Sequence, residues 1–179
     1  SATIFQKDLQ IYLAIRGTQF EAGDLLADAL LALGVSVRLN PQFEALMAQI
    51  DTWRQQGGPL YGKTFSVTGH SLGGYLAAAV KNSYAEVTDA YLFNAPGSGG
   101  LLGNIGDLVS GVFSQSSPGA NAVWNIKASE GLSIIGGLGS QSSAQISVQI
   151  EDGGTGFANH GIVRLTDALA IQALHTAIA

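Results

Sequence analysis

The apolar run Thr64–Thr68 meets Gly69-His70-Ser71-Leu72-Gly73 and passes at once into the alanine-rich segment Leu72–Tyr84. A β-branched and aromatic run reads as a strand, and an Ala- and Leu-rich run reads as a helix, so five residues must turn one into the other without a loop. A bend that sharp puts its serine in a strained backbone and is tolerated when the flanking positions lack side chains, as Gly69 and Gly73 do. It also lifts the Ser71 hydroxyl above the end of a sheet, beside the free N–H groups and positive dipole end of the following helix.

The remaining segments extend this strand-then-helix pattern. Leu9–Ile15 reads as a buried strand bounded by Arg16-Gly17-Thr18, and Phe20–Leu33, with its spaced acids and the stop at Gly34, as an amphipathic helix or flap. Asn40-Pro41 supplies a cap and a first-turn proline for a helix with apolar residues at Phe43, Leu46, Met47, Ile50 and Trp53, ended by Gly57-Gly58-Pro59. Val87–Phe93, Ala122–Lys127 and Ala144–Ile150 read as strands, the last with Ala144, Ile146, Val148 and Ile150 on one face. Ile162, Val163, Leu165, Leu169, Ala173 and Leu174 space out a closing helix. The pattern predicts one α/β domain over residues 1–179, with a mostly parallel central sheet flanked by helices. At 179 residues the chain is long enough to bury about two thirds of its unfolded surface.

Charge narrows the function classes. The eight basic residues are scattered and the net charge is −5, so neither nucleic acid nor an anionic bilayer is expected as an electrostatic partner. No apolar run has the length of a membrane span and no basic-then-apolar leader opens the sequence, which reads as a soluble domain, possible as a piece of something larger. Cysteine is absent, which excludes disulfide scaffolds and thiolate chemistry, and no metal-ligand cluster or cofactor is expected.

A serine hydroxyl needs a base, and the base needs an acid to orient it. Three histidines are available. His70 lies inside the bend, is expected to point away from the Ser71 hydroxyl and reads as a packing residue. His175 falls in the last turn of the closing helix, where a solvated cation suits the dipole. His160 follows the last strand across the glycine-rich loop "EDGGTGFANH" and directly precedes a helix, where an α/β enzyme of this kind carries its base. The acid is expected in the loop after the strand ending at Lys127, which selects Glu130; Asp152 is the rival, and Asp89 opens the wrong strand. The backbone N–H of Leu72 and the Arg16-Gly17-Thr18 turn, with the Thr18 hydroxyl, are the candidate oxyanion donors.

These segments resemble the class 3 lipase family of α/β hydrolases, secreted or effector lipases and phospholipases. "YLAIRGT" is similar to that family's strand and oxyanion turn, "VTGHSLGGYLAAA" to its nucleophile elbow, "YLFNAPGSG" to the strand and turn that follow, and "NHGIVRLTDALAI" to the histidine segment of bacterial members. The resemblance implies an α/β-hydrolase fold, Ser71 as nucleophile, His160 as base, Thr18 and Leu72 as oxyanion donors, and a lid over Gln19–Gly34. Glu130 stands where the family has an aspartate, the helices that commonly precede the first strand are missing, and Gly97–Gly119 is an insertion without a family counterpart.

A serine carboxylester hydrolase acting on lipid or other apolar acyl esters is the expected activity, with transient contact to a membrane or micelle interface and an exported setting. Leucine- and valine-rich stretches at Asp24–Gly34 and Gly99–Phe113 suit an acyl chain. Two alternatives remain open: a catalytically silent lipase-like module that binds a lipid or protein partner within a larger protein, and an acyltransferase or polyester hydrolase using the same residues.

Overall fold

The computed structural model describes residues 1–17, 41–95, 123–129, 144–154 and 156–178. Ten elements follow one another: β1 (Ala2–Lys7), β2 (Gln10–Ile15), α1 (Pro41–Arg54), β3 (Phe65–His70), α2 (Leu72–Ser83), β4 (Val87–Phe93), β5 (Val123–Ala128), β6 (Ala144–Val148), α3 (Gly156–His160) and α4 (Ile162–Ile178). The six strands form one sheet in sequential order. Strands β2 to β6 run parallel, and β1 pairs antiparallel with β2 at one edge. The protein is therefore an α/β structure with a mostly parallel sheet flanked by helices, as the alternation of segments predicts.

Parallel strands covered on both faces need continuous apolar character, and the sheet's centre has it. Leu13, Val67, Val87, Ala90 and Leu92 are fully buried, and Leu13 or Leu92 alone contributes about 1.5–3 kcal/mol by leaving water. Helix α2 is buried at every position from Leu72 to Val80, which explains its composition. Glycine and alanine let its backbone lie close to the strands. Helix α1 adds Phe43, Leu46 and Ile50 to the same cluster. At its C-terminal end Arg54 bonds to Glu86 before β4 and lies 4.6 Å over the Tyr84 ring, whose hydroxyl donates to Asp51.

A second, smaller cluster gathers Ile126, Ala128, Val148, Ile150 and Leu165 around β5, β6 and α4, with Phe93, Ala168 and Leu169 against it. Strands β4 and β5 touch both clusters, through Leu92 and Phe93 and through Val123 and Ile126.

Three expectations are corrected. Residues 2–7 form a strand that the sequence reading omits; it is an edge strand with little burial, so its apolar pattern is weak. Leu9 is not in a strand but at the tip of the β1–β2 hairpin, 96% exposed, after Asp8 with φ 55°. Strand β6 stops at Val148, and Ile146 is exposed, because β6 is paired only to β5 among the described residues. The segments 20–33 and 97–119 lie outside the described residues.

Candidate active site

Strand β3 passes into α2 with Ser71 alone between them, as the glycine spacing requires. Ser71 has φ 56° and ψ −125°, a left-handed conformation that costs a non-glycine residue on the order of 1–3 kcal/mol. The glycines are needed for close approach. A Cβ at Gly69 would lie 2.2 Å from the Gly73 carbonyl oxygen, and one at Gly73 would lie 2.3 Å from that of Ile15. Neither position has room for alanine.

The bend is tied into the sheet on both sides. Ser71 N–H donates to the Phe93 carbonyl at 2.9 Å, and the Ser71 carbonyl accepts from Gly74 at 3.0 Å and Tyr75 at 3.2 Å. The first N–H groups of α2, that of Leu72 among them, have no acceptor within the helix. Gly17, at the end of β2, packs directly on this turn: a Cβ there would meet Gly73 N at 2.8 Å and Leu72 Cβ at 3.5 Å. The Arg16-Gly17 turn therefore lies against the start of α2 at Leu72-Gly73, the two elements from which the candidate oxyanion donors come. Thr18, the expected side-chain donor, lies outside the described residues.

His160 is the last residue of the five-residue helix α3 and is only 5% exposed. Its carbonyl oxygen accepts from His70 Nε2 at 2.7 Å and from Asn94 Nδ2 at 3.0 Å. The ring centroids of His70 and His160 are 4.8 Å apart with planes tilted by 44°. His160 therefore sits beside the residue that precedes Ser71, although 89 positions separate it from Ser71 in the sequence. Both of its ring nitrogens are buried with no hydrogen-bond partner among the described residues. No hydrogen bond joins Ser71 to His160 among them either.

Burial, reinforced by the neighbouring His70, pushes the His160 imidazole down to about 4, and burial also lowers His70. His160 is thus neutral near pH 7, the protonation state a base requires. Because its folded value lies below the unfolded value near 6.5, the unfolded chain takes up the proton first as the medium becomes acidic. Stability associated with His160 is fully present above about pH 6.5 and is lost as pH falls toward about 4, by about 3 kcal/mol in all. Urea midpoints measured from pH 7 to pH 4 should show this loss in the natural sequence and a shallower one in His160→Gln. Equal slopes would contradict a buried neutral imidazole.

Neither candidate acid is brought to the His160 imidazole among the described residues. Glu130 lies outside the described residues. Its rival Asp152 is exposed and engaged elsewhere: its Oδ1 accepts from Gly154 N–H at 2.9 Å and Asn159 Nδ2 at 2.8 Å, bonds that hold the carboxyl below its usual range. Asp152 orders the loop before His160 and makes no hydrogen bond to the imidazole. His175 is exposed on α4, as read from its position.

Two residues beside the site carry more than the sequence reading assigned to them. His70 does pack, but it packs on the His160 ring and donates to the His160 main-chain carbonyl. Asn94 is wholly buried with φ 46°; besides holding His160, its Oδ1 accepts from Ala128 N–H at 3.0 Å and its N–H donates to Ile126 at 2.9 Å. The signal available in the sequence was an asparagine directly after an apolar strand, a residue type that tolerates positive φ. Asn159, 1% exposed, similarly fixes the preceding loop by accepting from Gly153 N–H at 2.6 Å.

Compared with protein-family models and with curated proteins, the chain matches none. Among the described residues there is no group of acidic or histidine side chains able to hold a metal ion, and no helix long and apolar enough to cross a membrane.

Proposed function

We propose that this protein is a serine carboxylester hydrolase of the α/β-hydrolase fold, similar to class 3 lipases, that cleaves apolar acyl esters through an acyl-enzyme on Ser71. The observation that carries this reading is a buried, neutral imidazole whose two nitrogens have no partner among the described residues, packed on His70, the residue before a strained serine. Unpaired buried polar atoms cost about 1–3 kcal/mol each, and a base held ready for a proton is one reason to carry that cost.

In the proposed reaction His160 takes the proton from the Ser71 hydroxyl as its oxygen attacks the ester carbonyl. The Leu72 N–H and the turn at Gly17-Thr18 stabilise the oxyanion, and Glu130 orients the imidazole. His160 then protonates the leaving alcohol. A water deprotonated by the same imidazole releases the acid and restores Ser71. Lipid at a membrane or micelle surface is the proposed substrate, since leucine- and valine-rich segments flank the site residues in the sequence, and an exported setting belongs to the same reading.

A fluorophosphonate probe and a short-chain nitrophenyl ester test the proposal together. The natural sequence should label and turn over, and Ser71→Ala should do neither. Folded protein that binds a lipid but shows no labelling would support the second reading, a silent lipid-binding module. The missing Ser71–His160 hydrogen bond among the described residues is the observation that favours it.

A further inference from the structure

We propose that His70 and Asn94 are positioning residues that clamp the main-chain carbonyl of His160 and thereby set where its imidazole stands relative to Ser71. The inference rests on the hydrolase reading for its catalytic consequence, while its structural part stands on the bonds themselves.

His160 ends a short helix, and the last carbonyls of a helix have no acceptor role within it to fulfil. Here two side-chain donors occupy the carbonyl in place of water. A carbonyl can only accept, so His70 carries its proton on Nε2. Each donor comes from a different strand end. His70 closes β3, one residue before Ser71, and Asn94 follows β4. Through its Oδ1 Asn94 also receives the N–H of Ala128, the last residue of β5, two positions before Glu130 in the sequence. One buried amide thus links the base to the strand that leads toward the candidate acid.

This arrangement answers a specific problem. Leu72, next to Ser71, belongs to the larger hydrophobic cluster, whereas Ile150 and Leu165, on either side of His160 in the sequence, belong to the smaller one. The β4–β5 ladder joins the two clusters within the sheet, but His160 itself belongs to neither. The bonds from His70 and Asn94 tie it to the ends of β3 and β4, and the His70 ring limits the tilt of the imidazole. Because the clamp grips the carbonyl, it consumes neither ring nitrogen. Both stay available for proton exchange.

The experiment compares His70→Leu and Asn94→Gly, each removing one donor, with His70→Gln, which keeps an N–H. Glycine retains the positive φ of position 94. Ester turnover, probe-labelling rate against pH, and the NMR titration of the His160 ring are measured on folded samples. Each donor loss should lower kcat by about tenfold, with KM changed less than about twofold. The His160 titration should move up from about 4 toward about 6.5 as water reaches the ring. His70→Gln should restore most of the rate. Unchanged labelling and an unchanged His160 titration in folded His70→Leu would overturn the clamp, even if Asn94→Gly failed to fold. If the natural sequence neither labels nor turns over, the hydrolase reading fails, and the titration still decides whether the clamp holds the imidazole.

Discussion

Ser71→Gly is expected to lower ester turnover by about 10⁴-fold or more while making the protein more stable than Ser71→Ala. Loss of the hydroxyl removes the proposed attacking atom in both variants. Only glycine, however, relieves the backbone at φ 56°, which costs a residue with a Cβ on the order of 1–3 kcal/mol. Against this stands the greater freedom that glycine loses on folding, about 0.5–1 kcal/mol. The net gain should be about 1 kcal/mol, read as a higher urea midpoint at unchanged slope. A glycine variant no more stable than the alanine variant would show that the bend stores no strain worth relieving. Such a trade is what a functional residue predicts: conformational cost is retained because it places a reactive group.

Gly73→Ala should damage the same turn in the opposite manner, keeping every reactive group and losing their arrangement. The added Cβ would sit 2.3 Å from the Ile15 carbonyl oxygen, 2.7 Å from Gly17 N and 3.1 Å from Arg16 carbon. All three are backbone atoms, so no side-chain rotation can relieve the contact. The end of β2 must separate from the start of α2, at a cost of about 3 kcal/mol. That separation pulls the Arg16-Gly17 turn from the Leu72 amide, so folded protein should also lose about 100-fold in kcat. A thermal melt with turnover measured well below the transition distinguishes the two losses. Wild-type kcat in a destabilised variant would mean that the turn beside β2 takes no part in stabilising the oxyanion.

Much of this geometry was legible beforehand, and for identifiable reasons. Gly69 and Gly73 announce a close backbone approach because glycine is the only residue that permits one, and the structure supplies the atoms they would strike. Val87–Phe93 and the helix from Pro41 were readable from apolar composition, cap and spacing, all of which act over a few residues. Strand β1 was not, since an edge strand exposed to water needs little apolar character. The closing helix was recognised, but its burial was not: Leu165 is buried, whereas Val163, Ile171 and Leu174 are exposed. Spacing reveals that a residue lies on a stripe, and a neighbouring element decides whether the stripe is covered.

The candidate site divides along the same line. A local sequence pattern was enough to determine the strand-to-helix bend, the single serine on it and the shortage of imidazoles that singles out His160, because each depends on bonds and contacts within a few residues. Only tertiary structure could decide that His160 lies against His70, that Asn94 joins it to the end of β5, and that Asp152 serves the loop instead of the His160 ring. These partners stand 7 to 90 positions apart in the chain. Residues so distant meet when the strand ends are aligned by the sheet, and that alignment comes from packing summed over the two cores, which no short segment encodes.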